Sequence, residues 1–91
     1  MVYQLKYTGQ FKKSVKLCKK RGLNIELLRE VIDHLQKGDT LPQNYKAHKL
    51  LGNYSNCWEC HIQPDWLLLW QENESDLTLM FINTGSHSDI F

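Results

Sequence analysis

Four histidines, three cysteines and a Pro-Asp turn are the places where this sequence could do chemistry. The densest stretch is CWECHIQPDW, residues 57–66, whose first five letters carry the C-x-x-C-H spacing of a c-type haem attachment site. That attachment needs both thiols and the imidazole on one side of a helical turn. Here the stretch alternates like a strand and is closed by Pro64. Alternation sends Cys57, Glu59 and His61 to one face, and Trp58, Cys60 and Ile62 to the other. Two thiols on opposite faces cannot both reach one porphyrin edge. A closed zinc site fails for the same reason, and no second C-x-x-C or H-x-x-x-H supplies further ligands. The reading is therefore no metal, no cofactor, and Cys60 as a small core residue facing the helices.

The same alternation leaves His61 on a face that can belong to a site. Asp65 follows four residues later, past the Gln63-Pro64 turn. A histidine and an aspartate on opposite sides of a hairpin mouth can hydrogen-bond or share a substrate. Imidazoles suit proton transfer because their unperturbed pKa of about 6.5 lets them give and take protons near neutrality. His34 falls on the polar side of a helical pattern and reads as a solvated side chain.

The elements that must position these residues follow from periodicity. Val2 to Tyr7 alternates and reads as a strand. Thr8 and Gly9 open a helix to about Arg21, with Phe11, Val15 and Cys18 on one face and lysines on the others. Gly22 ends it, and Asn24 caps a second helix with an apolar stripe from Ile25 to Leu35, stopped by Gly38. Residues 38–56 read as loop. Three strands follow over Cys57–Ile62, Trp66–Glu72 and Leu77–Asn83, and Gly85 leads into a short tail, SHSDIF. WLLLW, apolar on both faces, should be the central strand. The fold class is α+β, in the order β-α-α-β-β-β: a helical hairpin packed on a small, largely antiparallel sheet.

At 91 residues the chain has room for one domain. The longest apolar run, Trp66 to Trp70, is far short of the roughly 18 residues of a membrane span. With no secretory h-region and an odd number of cysteines, reduced thiols in a cytoplasm are expected. The net charge of +1 conceals a division: all eleven Lys and Arg lie between Lys6 and Lys49, against four acids in the first fifty residues, a net +7. Residues 51–91 hold six acids and no Lys or Arg. The basic half suits a polyanion or an acidic partner.

Three segments carry a resemblance: YKAHKLLGNY (45–54), CHIQPDWLLLW (60–70) and FINTGSHSDIF (81–91). Together they resemble the YafQ group of RelE-type bacterial toxins, in which Y-K-x-H-x-L-x-G, H-[IV]-x-P-D-W and a terminal T-G-x-H-x-x-[LI]-F recur in this order. With the N-terminal strand and helix start the resemblance covers essentially the whole chain, implying a single toxin domain over residues 1–91. It implies a ribosome-dependent mRNA endonuclease of a type II toxin–antitoxin system, acting in the 30S A site of a bacterial cytoplasm. It also implies a DinJ-like, ribbon-helix-helix antitoxin as partner, and contact with operator DNA only through that antitoxin. The chemistry would be attack of a ribose 2′-hydroxyl on the adjacent phosphate, with no metal. That needs a base, an acid and positive charge on the phosphate oxygens.

Matched residue by residue, the resemblance points to His48, His61, Asp65 and His87 as catalytic and to Phe91 as a base-stacking or anchoring residue. His87 is expected as the acid, His48 or Asp65 as the base, and His61 in support. Trp66 matches too and is expected to pack. The chain departs from the family at Asn83 and Trp58, where arginine is usual. Asn83 keeps a donor but loses the fixed charge expected on the scissile phosphate. The expectation is an enzyme attenuated at Asn83, whether naturally or by design, or one that recruits Lys46 and Lys49, the cations flanking His48. The alternative is an inactive homologue that binds only its antitoxin and the operator complex.

Overall fold

A computed structural model describes residues 2–54 and 56–91, apart from the side chain of Asn53. Strand β1 (Gln4–Tyr7) leads into helix α1 (Gly9–Lys20), whose start is fixed by Thr8: its hydroxyl accepts from the Phe11 N–H at 3.0 Å. Helix α2 (Ile25–Gln36) begins the same way, with the Asn24 side chain accepting from the Glu26 N–H. Between them Gly22 adopts φ +81°, and the Leu23 N–H reaches back to the Cys18 carbonyl. That closure turns α2 back on α1 as a hairpin.

The rest of the sheet is β2 (His48–Lys49), β3 (Trp58–Gln63), β4 (Trp66–Asn73) and β5 (Thr78–Gly85), and a one-turn helix α3 (His87–Ile90) closes the chain. Strand order is β1-β5-β4-β3-β2; β1 runs parallel to β5 and every other pair is antiparallel. The WLLLW segment lies in β4, the central strand, and all five of its residues are buried. One face of the sheet packs on the helices through Cys60, Leu68, Trp70, Leu79 and Phe81 against Phe11, Cys18, Leu28, Val31 and Leu35. No helix among the described residues is long and apolar enough to cross a membrane.

Two segments differ from the sequence reading. The stretch 38–56, expected as loop, contains β2 and two one-turn 3-10 helices, Gln43–Tyr45 and Gly52–Tyr54. A two-residue strand carries too little periodicity to be seen; only its pairing with β3 makes it one. The tail is helical because Ser86 and Asp89 form a reciprocal cap: the Ser86 hydroxyl accepts from the Asp89 N–H, and the Asp89 carboxylate accepts from the Ser86 N–H.

Candidate active site

The site grows from the register of the sheet. His48 of β2 lies opposite Glu59 of β3, Glu59 opposite Leu69 of β4, and Leu69 opposite Asn83 of β5. His61, two residues beyond Glu59, shares its face. This face points away from the helical hairpin, since the intervening Cys60 belongs to the core.

Glu59 is only 5% exposed, and a carboxylate so placed needs compensation. Two imidazoles face it: His48 Nε2 lies 3.5 Å and His61 Nε2 3.6 Å from Glu59 Oε1. Both distances are longer than those of tight hydrogen bonds. The other nitrogen of His48 is committed, because Nδ1–H donates to the Lys46 carbonyl at 2.7 Å. His48 therefore turns Nε2 toward the site. Lys46 reaches this geometry in the left-handed region, at φ 52°.

A second histidine–carboxylate pair stands beside the first. His87 opens α3, and Asp65 sits in the β3–β4 turn. Asp65 Oδ1 accepts two bonds from His87, from the backbone N–H at 3.0 Å and from Nδ1–H at 2.7 Å. These bonds, the backbone one first, hold the Asp65 carboxyl below the usual carboxylate range. The same bond fixes the tautomer of His87 and leaves its Nε2 free. The rings of His61 and His87 have centroids 5.7 Å apart, so both pairs form one continuous cluster.

His48, His61, Asp65 and His87, each expected from the sequence, are thus brought together. Phe91 is 58% exposed and meets Tyr54 edge-on, with ring centroids 5.3 Å apart. Asn83 is half-buried, and its amide oxygen is occupied: it accepts from Ser14 Oγ of α1 at 2.6 Å and from the Thr84 N–H at 2.9 Å. The two lysines do not join the cluster. Lys49 pairs with Trp58, so alternation turns it away from His48, and its Nζ sits 5.6 Å from the centre of the Trp58 ring. Lys46 lines a cleft on the helical side with Leu35, Leu41, Trp58 and Trp70. Trp66 packs as expected, 1% exposed, with its indole N–H donating to Thr84 Oγ1.

Glu59 was not expected in the site, although alternation already placed it beside His61. What the sequence hid was the pairing of Glu59 with His48, which comes from another strand. Cys60, the neighbour of His61, is silenced by burial, which pushes its thiol up to about 12. His34 lies outside the cluster, exposed, 3.7 Å from Asp39. Among the described residues no group of three or more His, Cys, Asp and Glu is arranged to hold a metal ion.

Fold and cluster together define a small α+β protein with three imidazoles and two carboxylates gathered in one cluster. Comparison with known proteins gives the family. Residues 3–91 match the family model described as bacterial toxin of type II toxin–antitoxin system, YafQ. The chain is 34% identical over 88 residues to the mRNA interferase toxin YafQ of Escherichia coli K12, covering 96% of this chain and 94% of that protein. Among solved structures it is similar to the E. coli DinJ–YafQ toxin–antitoxin complex, with TM-score 0.91, 32% identity and coverage of 100% and 99%. A metal-bound toxin from Helicobacter pylori is similar with TM-score 0.91, 34% identity and full coverage of both chains. The chain belongs to the YafQ family of bacterial toxins of type II toxin–antitoxin systems.

Proposed function

We propose that this chain is a ribosome-dependent mRNA endonuclease of the bacterial cytoplasm, held in check by a DinJ-like, ribbon-helix-helix antitoxin. The observation that carries the catalytic reading is the continuous cluster His48–Glu59–His61–His87–Asp65. In RNA cleavage the 2′-oxygen forms a bond to phosphorus as the bond to the 5′-oxygen breaks. One group removes the 2′-proton and another protonates the departing 5′-oxygen.

His48 is the base, because its Nδ1–H is tied to the Lys46 carbonyl and Nε2 is the nitrogen left to accept a proton. Glu59 then faces the resulting imidazolium as its counter-charge. His87 is the acid, acting through Nε2, with Asp65 holding Nδ1–H and so the ring's orientation. Asp65, already accepting two bonds from His87, orients rather than serving as base. His61, when protonated, supplies positive charge to the phosphate oxygens. The chain's chemistry needs no metal in this scheme.

Asn83 favours a second reading, a homologue that binds its antitoxin without cutting. Its amide oxygen is bonded to Ser14, and no Lys or Arg follows Lys49 in the chain to replace the missing cation. Loss of one transition-state contact of this kind costs about 100- to 1000-fold in rate. Toeprinting of programmed ribosomes separates the two readings. Cleavage by the unmodified chain that is lost in His87→Ala is the expected result. Cleavage only by Asn83→Arg would mean an intact cluster disarmed at one position. Silence from both would leave the binding protein.

A further inference from the structure

Helix α3 is a single turn, too short to persist without tertiary support, yet it carries His87. Its anchor is Asp89. One oxygen of that carboxylate accepts from the Ser86 N–H at 3.0 Å and from Arg21 Nη1 at 2.6 Å; the other accepts from Arg21 Nη2 at 3.3 Å. Arg21 is the C-cap of α1, 68 residues away in sequence, and its guanidinium forks both oxygens. The Asp89 side chain also lies across Gly85, where an added Cβ would come within 2.9 Å of Oδ2. The backbone can pass beneath that carboxylate only because residue 85 has no side chain. Every other basic side chain of α1 (Lys12, Lys13, Lys16, Lys19 and Lys20) is exposed on the lysine-rich face, whereas Arg21 bonds inward to the element bearing the acid.

We propose that Arg21 is a positioning residue for His87, acting through Asp89 to hold α3 so that the imidazole stays registered on Asp65. The basic end of α1 thus has a task separate from attraction to RNA. The kinetic arm of the test rests on the nuclease reading above; the spectroscopic arm does not.

The test uses the full chain with Arg21→Ala, Arg21→Lys, Asp89→Asn and the double variant Arg21→Ala/Asp89→Asn, under single-turnover conditions on programmed ribosomes. Arg21→Ala and Asp89→Asn should each lower the maximal cleavage rate, by up to about 100-fold for an acid displaced by an ångström. The half-saturating toxin concentration should stay unchanged. The double variant should be no slower than the worse single one, and Arg21→Lys should recover part of the loss. A raised half-saturating concentration in Arg21→Ala that Asp89→Asn does not share would make Arg21 an RNA contact and overturn the proposal. Additive losses in the double variant would overturn it as well.

The second readout is the 15N signal of His87 Nδ1 in the free protein. Arg21→Ala and Asp89→Asn should shift it away from the hydrogen-bonded position, and Arg21→Lys should restore it in part. An unmoved signal in folded variants refutes the latch even if the unmodified chain cuts nothing. A shifted signal alongside a silent unmodified chain would sustain the latch and sink the nuclease reading.

Discussion

Two histidine–carboxylate groups sit side by side, and they are built in opposite ways. Glu59 is buried, with a side chain 7% exposed, and stands 3.5 and 3.6 Å from two imidazoles. Asp65 has a side chain 70% exposed and grips one imidazole at 2.7 Å. The first is a loose arrangement: a carboxylate shielded from water faces two imidazoles without a short bond to either. The second works by direction: in water-screened surroundings the charge counts for little, and the short hydrogen bond fixes which nitrogen carries the proton. The same two chemical groups, an imidazole and a carboxylate, are therefore held in two different ways, set apart by burial.

The largest test of that contrast is Asp65→Asn. If Asp65 acts by direction, the amide loses control of the tautomer and the cleavage rate falls about 100-fold or more, within the range general acids supply. The melting temperature should hardly move. A rate loss below tenfold would reduce Asp65 to an ornament of the turn.

Glu59→Leu should differ in its effect on stability. Removing the carboxylate alone leaves the two imidazoles that face it without their partner, so the free energy of unfolding should fall, by at most about 3–5 kcal/mol, and the rate should fall with it. Unchanged stability of Glu59→Leu in urea denaturation would show that the buried carboxylate contributes nothing to holding the fold.

Gly85→Ala strikes the exposed pair alone. Gly85 sits at φ +153° under the Asp89 carboxylate, so a methyl group must displace the Asp89 side chain that anchors α3. A loss of about 1–3 kcal/mol is expected, the usual cost of a side chain in such a region. The NMR signals of His87 should change and those of His48 should not. Equal change at both would mean that the two groups are mechanically one.

The smallest effect is a pH dependence. Asp89, bonded chiefly by Arg21 and then by Ser86, is held at about 2, and Asp65 is lowered by His87. Both carboxyls are depressed in the folded state, so the unfolded chain binds more protons in acid and stability rises with pH there. Their contribution is complete above the ordinary carboxylate range and drains away as pH falls toward 2. Asp89→Asn should flatten that part of the acid unfolding curve, and a curve left unchanged would mean that the carboxylate's bonds to Arg21 and Ser86 carry none of it.

Much of this was legible beforehand. Strand alternation in WECHIQ separates Cys60 from Glu59 and His61, and the structure keeps that separation. The unbroken apolar run of WLLLW marks the central strand, and Thr8, Asn24 and Gly22 mark helix ends that the structure respects. Alternation and the Gln63-Pro64 turn single out His61 and Asp65, but their partners in the structure are Glu59 and His87, and His48 and His87 were named from the resemblance alone. Lys49 illustrates the limit. It adjoins His48 in the chain and was expected beside it, but a strand turns neighbours to opposite faces, and β2 was invisible until paired.

The sequence by itself determined what depends on neighbours a few residues apart: the elements, their caps, and the face each side chain takes. The tertiary structure alone decided which histidine meets which carboxylate. His48 reaches Glu59 through the β2–β3 pairing, and His87 reaches Asp65 because Arg21 and Ser86 hold Asp89 in place. The physical reason is range. Periodicity is a property of adjacent residues, whereas a charge finds its partner only after the chain has closed loops tens of residues long and burial has set the dielectric around it.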